Sequence, residues 1–120
     1  MTDKKTLGRF GEDRAARYLF FHGYRIVKRN WACRLGEIDV IAHKGKYMAF
    51  VEVKLRHSAD YGEAREFVTA QKQRRVIAAA ELYLARNPTD LQPRFDVIEI
   101  YAPYGTRGRT KINHIENAFM

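Results

Sequence analysis

The chain has a single cysteine, Cys33, and no apolar run approaching the roughly 18–20 residues of a membrane-spanning helix. One cysteine cannot form a disulfide within the chain, which excludes a disulfide framework and suits a reducing, cytoplasmic environment. The first residues are charged, so neither a signal peptide nor a membrane association is expected. No repeat, P-loop or dinucleotide-binding fingerprint is present, and the four histidines lack metal-ligand spacing.

Acidic residues are the scarcer charge: 14 Asp and Glu stand against 22 Lys and Arg, a net charge of +8. This balance predicts a polyanionic partner, with a merely basic, ribosomal-type surface as the alternative. A length of 120 residues with 46% hydrophobic and 30% charged residues predicts one soluble globular domain over residues 1–120.

The hydrophobic periodicity predicts two helices and five strands. Helical spacing covers residues 6–22, and a second helix begins after the N-cap Thr69 and ends before Asn87 and Pro88. Strands are predicted over residues 24–30, 37–42, 47–55, 95–101 and 110–115, with polar connections at 56–67 and 103–109. The order α-β-β-β-α-β-β predicts a single α/β domain with helices packed on a mixed sheet.

Residues 36–42 and 50–54 place charges inside apolar, β-branched strands. Burying an unpaired carboxylate is unfavourable by several kcal/mol or forces protonation, so Asp39, Glu52 and Lys54 need a reason to be there. The simplest reason is a divalent metal ion and a water molecule to activate.

The turn between these strands sets which side chains meet. A four-residue loop over residues 43–46 would place Asp39 opposite Phe50 and diagonally from Glu52. Asp39, Glu52 and Lys54 would then share one face, and Ile38 would join Val40, Ala49, Val51 and Val53 on an apolar core face.

Asp39 and Glu52 carry hard oxygen ligands, which suit Mg²⁺ or Mn²⁺, and the Val53 carbonyl would add a third ligand. Lys54 could orient or deprotonate the attacking water, or neutralise charge on a phosphate. For an isolated Glu-x-Lys, a surface salt bridge is the better interpretation. Asp39 at the matching position shifts the balance towards a site.

Four further residues are candidates with open alternatives. Glu12, beside Gly8 and Gly11, could add a carboxylate or be solvated on its helix. Glu37 is either an outer acid of the site or a residue at the strand mouth. Gln71 and Arg75, spaced i, i+4, could bind phosphate or orient water, and a solvated helix face is equally compatible.

The order of an acid on a first helix, then Gly-x-x-Asp, then Glu-x-Lys resembles the PD-(D/E)XK nuclease superfamily, especially archaeal Holliday-junction resolvases. More closely, the chain resembles the YraN family of small bacterial nuclease-like proteins. This likeness is carried by residues 8–12, 23–24, 30, 36–42, 50–56, 72, 94–97 and 114–119.

The resemblance implies a restriction-endonuclease-like fold, with Asp39 and Glu52 as metal ligands, Lys54 as the catalytic lysine and Glu12 as an accessory acid. Gln71 is a weaker match, and Arg56, Lys72 and Arg75 are assigned to nucleic-acid contact. A homodimer with two sites on two DNA strands is a further expectation.

We therefore expect a cytoplasmic, Mg²⁺- or Mn²⁺-dependent endonuclease acting on branched or repair-type DNA. The alternatives are a module of the same fold that binds nucleic acid without cutting it, and a non-catalytic interaction protein.

Overall fold

Two helices and five strands follow one another in the predicted order. The computed structural model describes residues 4–56, 68–104 and 107–119, with side chains from residue 8 onward. The elements are α1 (Lys4–Phe21), β1 (Arg25–Cys33), β2 (Gly36–Lys44), β3 (Tyr47–Arg56), α2 (Ala70–Arg86), β4 (Gln92–Tyr101) and β5 (Lys111–Ile115). The predicted connection at 56–67 lies outside the described residues except for Arg56, and the loop at 103–109 lies partly outside them.

The strands form one mixed sheet in the order β1-β2-β3-β4-β5. β3 and β4 are parallel, and every other neighbouring pair is antiparallel. Parallel neighbours need a long crossover, and α2 lies in the connection between them. The predicted α/β class, with a mixed sheet and helices packed against it, is confirmed.

The second helix begins and ends where the sequence predicts. The Thr69 hydroxyl accepts a hydrogen bond from the Lys72 amide at 3.1 Å, which satisfies one of the free donors of the first turn. Asn87 is the C-cap, and Pro88 cannot continue the helix. Neither helix, within the ranges described, is long and apolar enough to cross a membrane.

Each face of the sheet is covered by one helix. On one side, α2 packs through Val76, Ala79, Ala80 and Tyr83 against a cluster that includes Ile38, Ile41, Phe50, Phe95 and Val97. On the other side, Ala15 and Leu19 of α1 pack against Val40, Ala49, Val51, Ile98 and Ile100. β2, β3 and β4 therefore have apolar residues on both faces, and a charge there is deeply placed.

The predicted four-residue turn after β2 is wrong. Lys44 pairs with Tyr47, which leaves a two-residue turn of Gly45 and Lys46. Gly45 has φ 58°, the positive value that two-residue hairpins use and that glycine adopts without strain. The predicted and observed turns differ in length by two residues, and side chains alternate along a strand with a period of two. Ile41 and Phe50 therefore still share a face. Continuing the register beyond Val40–Val51 brings Asp39 opposite Glu52 rather than Phe50.

The prediction that Ile38 lies with Val40 on one core face is also wrong. Ile38 packs in the α2 cluster, whereas Val40 packs in the α1 cluster. Between the β1–β2 pairs Arg29–Val40 and Trp31–Ile38 stands Asn30, whose φ is 52°. A left-handed residue interrupts the alternation of side chains along its own strand, so β1 is irregular at the point where it pairs with the changed stretch of β2. The site lies at this irregularity.

Candidate functional site

A gap opens between β2 and β3 at Asp39. The pairs between the two strands run from Lys44–Tyr47 to Val40–Val51, although both strands continue further. Just beyond the last pair, the Val53 amide donates a hydrogen bond to Asp39 Oδ2 at 2.8 Å. The Asp39 carboxylate thus satisfies a backbone donor where the ladder between the two strands ends.

Glu52 is the most deeply buried acid at this gap, with 1% of its surface exposed. Its Oε1 lies 3.2 Å from Lys72 Nζ at the start of α2. Its Oε2 is buried and has no hydrogen-bond partner within the described part of the chain. A buried carboxylate oxygen without a partner is unfavourable, which marks this position as one that a ligand could complete.

The electrostatics of Asp39 reflect the same crowding. Burial, followed by repulsion from Glu52, raises the pKa of Asp39 to about 7, despite the hydrogen bond from Val53. Burial alone would lower the pKa of Lys72, but the Glu52 carboxylate outweighs this effect, and the pKa is raised. One ammonium group therefore faces two carboxylates.

Two further acids complete what we call the acid cluster: Glu12, Glu37, Asp39 and Glu52, with Lys72 as their cation. Burial raises the pKa of Glu12, which also experiences Asp39 and Glu37, while a side-chain hydrogen bond from Asn30 opposes the shift. Glu37 is exposed at the start of β2 and acts on the pKa values of Glu12, Asp39 and Lys72. The structure thus brings together all four acids selected from the sequence.

The predicted basic and polar residues are placed less uniformly. Lys54 is half-buried on β3, in register with Glu99 of β4. Arg56 lies at the end of β3, where its Nε is 3.4 Å from the buried Glu99. Gln71 and Arg75 are exposed on the first turns of α2.

Lys72 is the residue whose position the sequence does not reveal. Its spacing on α2 indicates a solvated or phosphate-binding cation, yet the fold places it against Glu52. Asn30 was likewise given no role, although its side chain reaches Glu12. Both contacts join segments that are far apart in the sequence, and no local pattern signals them.

The donor set fits a hard divalent cation in chemistry, because carboxylates and a nearby backbone carbonyl are what Mg²⁺ and Mn²⁺ bind. The unpartnered Glu52 Oε2 is the observation that supports this fit. In the arrangement described, however, no three side chains of the His, Cys, Asp and Glu types converge to hold an ion. Asp39 and Glu52 are therefore the two side-chain ligands available, and the Val53 carbonyl and water would have to supply others.

A second buried acid, Asp96, has a contrasting environment that we call the Asp96 cluster (Tyr24, Arg94, Asp96, His114). Arg94 Nε and Nη2 donate to the two oxygens of Asp96 at 2.9 and 2.8 Å. His114 Nε2 lies 2.8 Å from Oδ2, and the amide of Asn117 donates to Oδ1 at 3.0 Å. Burial alone would raise the pKa of Asp96, but these partners lower it. Asp96 is a saturated structural acid.

Comparison with known sequences places the chain in a family. Residues 11–100 match the model of the uncharacterised protein family UPF0102, and the chain belongs to this family. A UPF0102 protein of Caldanaerobacter subterraneus subsp. tengcongensis is 44% identical over 118 residues, covering 98% of this chain and 97% of the relative.

Two further UPF0102 proteins illustrate the spread of the family. The relative from Symbiobacterium thermophilum is 47% identical over 116 residues, covering 96% of this chain and 97% of the relative. The relative from Flavobacterium psychrophilum is 40% identical over 119 residues, covering 99% and 98%. The expected membership of a family of small bacterial proteins is thus confirmed, whereas function has to be argued from the site.

Proposed function

We propose that this protein is a metal-dependent endonuclease of the resolvase type, hydrolysing phosphodiester bonds in branched or repair-type DNA. The observation that carries the proposal is the pairing of a half-buried Asp39 with the buried Glu52, one oxygen of which has no hydrogen-bond partner among the described residues. Negative charge at this depth is unfavourable unless a cation compensates it, and Lys72 alone leaves it undercompensated. The net charge of +8 supports a polyanionic substrate.

In this proposal Asp39, Glu52 and the Val53 carbonyl would hold Mg²⁺ or Mn²⁺. A bound divalent ion would supply positive charge to the scissile phosphate and a more acidic water. Lys54 orients that water or neutralises charge that builds on the phosphate in the transition state. Glu12 and Glu37 act as accessory acids.

The remaining parts of the proposal concern binding and assembly. Arg56, Gln71, Lys72 and Arg75 contact the DNA backbone. Such contacts position a strand without reading its sequence, so little sequence preference is expected. A cytoplasmic location and a homodimer with two sites complete the proposal.

A binding module that does not cut is the second candidate, and a specific observation favours it. Lys72 already lies 3.2 Å from Glu52, so an internal cation partly occupies the role of the metal. Among the described residues, no ready-made group of three ligands is present. In this case the acid cluster would have no catalytic role, and the basic surface would bind the nucleic acid.

Incubation with branched, flapped, single-stranded and duplex DNA, with and without Mg²⁺ or Mn²⁺, separates the two candidates. The nuclease proposal expects metal-dependent cleavage that Glu52→Gln abolishes and that the exposed control Glu81→Gln retains. Metal-independent binding without cleavage of any substrate would favour the module. Binding measured across salt concentrations tests both, because a slope near zero of log affinity against log salt would exclude nucleic acid.

A further inference from the structure

A cavity of about 450 Å³ lies directly beside the acid cluster. It is formed between the β1–β2 turn and the first half of α2. Its apolar lining includes Cys33, Leu35 and Val76. Leu35 is 41% exposed, so part of this apolar lining is open to a ligand.

The cavity also has a cationic side. Arg34, Lys72 and Arg75 line it, with Glu37 as the acid on the same lining. An apolar surface bordered by three cations is complementary to a ligand that carries a flat apolar group and a negative charge.

Gly36 keeps the turn tightly against the helix. A Cβ at this position would lie 3.0 Å from the Arg75 carbonyl oxygen, closer than the backbone could accept without moving. The absence of a side chain therefore fixes the distance between the turn that carries Arg34 and Leu35 and the helix that carries Arg75. At Gly36, therefore, one side of the cavity is set by backbone packing between the turn and the helix.

Lys72 and Glu37 connect the cavity to the proposed site of hydrolysis. Lys72 lines the cavity while its Nζ lies 3.2 Å from Glu52 Oε1. A ligand in the cavity would thus be immediately adjacent to a phosphate bound at Asp39 and Glu52.

We propose that this cavity binds one unpaired nucleotide of the substrate strand, next to the phosphate at the acid cluster. The proposal rests on the nucleic-acid binding of the proposed function and specifies its substrate class. The volume suits a single nucleotide and not a stretch of duplex, since ligand pockets typically measure about 300–1,000 Å³. A base can enter only when it is unstacked and unpaired. The preferred substrate is therefore DNA with an unpaired nucleotide at the cut, as in single strands, flaps or branch points.

Cys33 provides a direct reporter, because it lines the cavity and is the only cysteine of the chain. The experiment measures the rate of Cys33 alkylation by iodoacetamide with intact-mass detection, using the full chain. The probes are a short single strand, the same strand with abasic sites throughout, the matching duplex, and inorganic phosphate.

The single strand is expected to slow alkylation about tenfold when present at about ten times its Kd. The abasic strand, the duplex and phosphate should leave the rate nearly unchanged. Equal protection by the duplex, or by the abasic strand, would overturn the assignment to an unpaired base. Binding of the single strand without any protection of Cys33 would overturn it as well.

Variants on the same helix supply a matched control. Arg75→Ala should weaken binding of the single strand roughly tenfold, whereas Arg86→Ala, exposed on the last turn of α2, should not. Leu35→Ala should weaken it more than Phe21→Ala, although Phe21 is the more exposed of the two apolar side chains. Equal losses of affinity for the two variants of either pair would overturn the assignment of the cavity as the nucleotide site.

Failure of the nuclease proposal gives a different pattern. Cleavage of DNA while Cys33 stays unprotected would overturn the proposal that the cavity binds a nucleotide and would leave the nuclease proposal standing. Protection of Cys33 by a single strand that is never cut would support the cavity and overturn the nuclease.

Discussion

Two of the regions in which the sheet buries acids have opposite surroundings. Asp96 has an arginine, a histidine and a backbone amide on its two oxygens, and its pKa is lowered. Asp39 and Glu52 share one lysine, Oε2 of Glu52 has no partner in the described residues, and the pKa of Asp39 is raised to about 7. Glu52 and Asp96 are both almost completely buried, so these two carboxylates differ in how far their charge is compensated and not in their burial.

The difference separates a structural acid, Asp96, from the acid pair that we propose as a metal site. This fold supplies every oxygen of Asp96 with hydrogen-bond donors. The shortage of donors and positive charge at Asp39 and Glu52 is therefore a property of that site and not of the fold as a whole. Undercompensated buried charge is characteristic of positions that bind a cation or perform chemistry. The predictions below test whether the two regions respond oppositely to the same kind of substitution.

The largest effect is expected in the Asp96 cluster. Asp96→Ala deprives the Arg94 guanidinium, 10% exposed, of its two hydrogen bonds to Asp96 and should lower the free energy of unfolding by about 3–5 kcal/mol. Denaturant titration measures this loss. Asp13→Ala is the control, because its ion pair with Arg29 is largely exposed and should contribute at most about 1 kcal/mol.

A comparable loss in the control and in Asp96→Ala would remove the contrast between the regions. The loss should also disappear in acid, because a carboxyl with a lowered pKa stabilises the fold above its unfolded pKa and stops doing so once it is protonated.

Lys54→Ala tests the chemistry that separates an enzyme from a binder. Cleavage should fall by at least about 10²-fold, since the amine acts on water and phosphate in the transition state. Metal affinity should stay near that of the wild type, because Lys54 is not a ligand. DNA affinity should fall modestly, since one basic group among many is removed. Cleavage at an undiminished rate would place the reactive site elsewhere.

Asp39→Asn should stabilise the protein in chelator, opposite in sign to Asp96→Ala. The folded pKa of about 7 exceeds the unfolded value of 3.8, so ionised Asp39 is destabilising above pH 7 and neutral in effect below about pH 4. The variant should gain roughly 1–3 kcal/mol at pH 8, and this gain should vanish as the pH falls towards 4. The asparagine carbonyl can still accept the hydrogen bond from Val53.

Thermal melts across pH measure this effect. A sharply lowered melting temperature for Asp39→Asn at pH 8 would identify Asp39 as a structural partner, like Asp96. Added Mn²⁺ should reverse the order by stabilising the wild type through binding to its folded state.

Local sequence patterns predicted the helices and strands well, because the ends of a helix and the apolar runs of a strand depend on residues that are close together in the sequence. Thr69 caps α2, Asn87 and Pro88 end it, and apolar runs form the central strands. The candidate site was predicted from charges inside those runs, and it stays a prediction. The turn length was wrong, yet Asp39 and Glu52 still met, because a change of two residues preserves which face a side chain takes.

What the sequence could not supply are contacts between distant segments. Ile38 and Val40 pack on opposite faces of the sheet beside the left-handed Asn30, and nothing in the local pattern signals this. The pairing of Lys72 with Glu52, and of His114 with Asp96, depends on how α2 and β5 pack on the sheet.

Titration of Mn²⁺ into the apo protein by calorimetry at pH 8 tests most directly whether Asp39 and Glu52 form a cation site. We expect binding to the wild type and to the exposed-acid control Asp13→Asn, and none to Asp39→Asn combined with Glu52→Gln. Equal Mn²⁺ affinity in the wild type and the double variant would contradict the assignment of this acid pair as a metal centre.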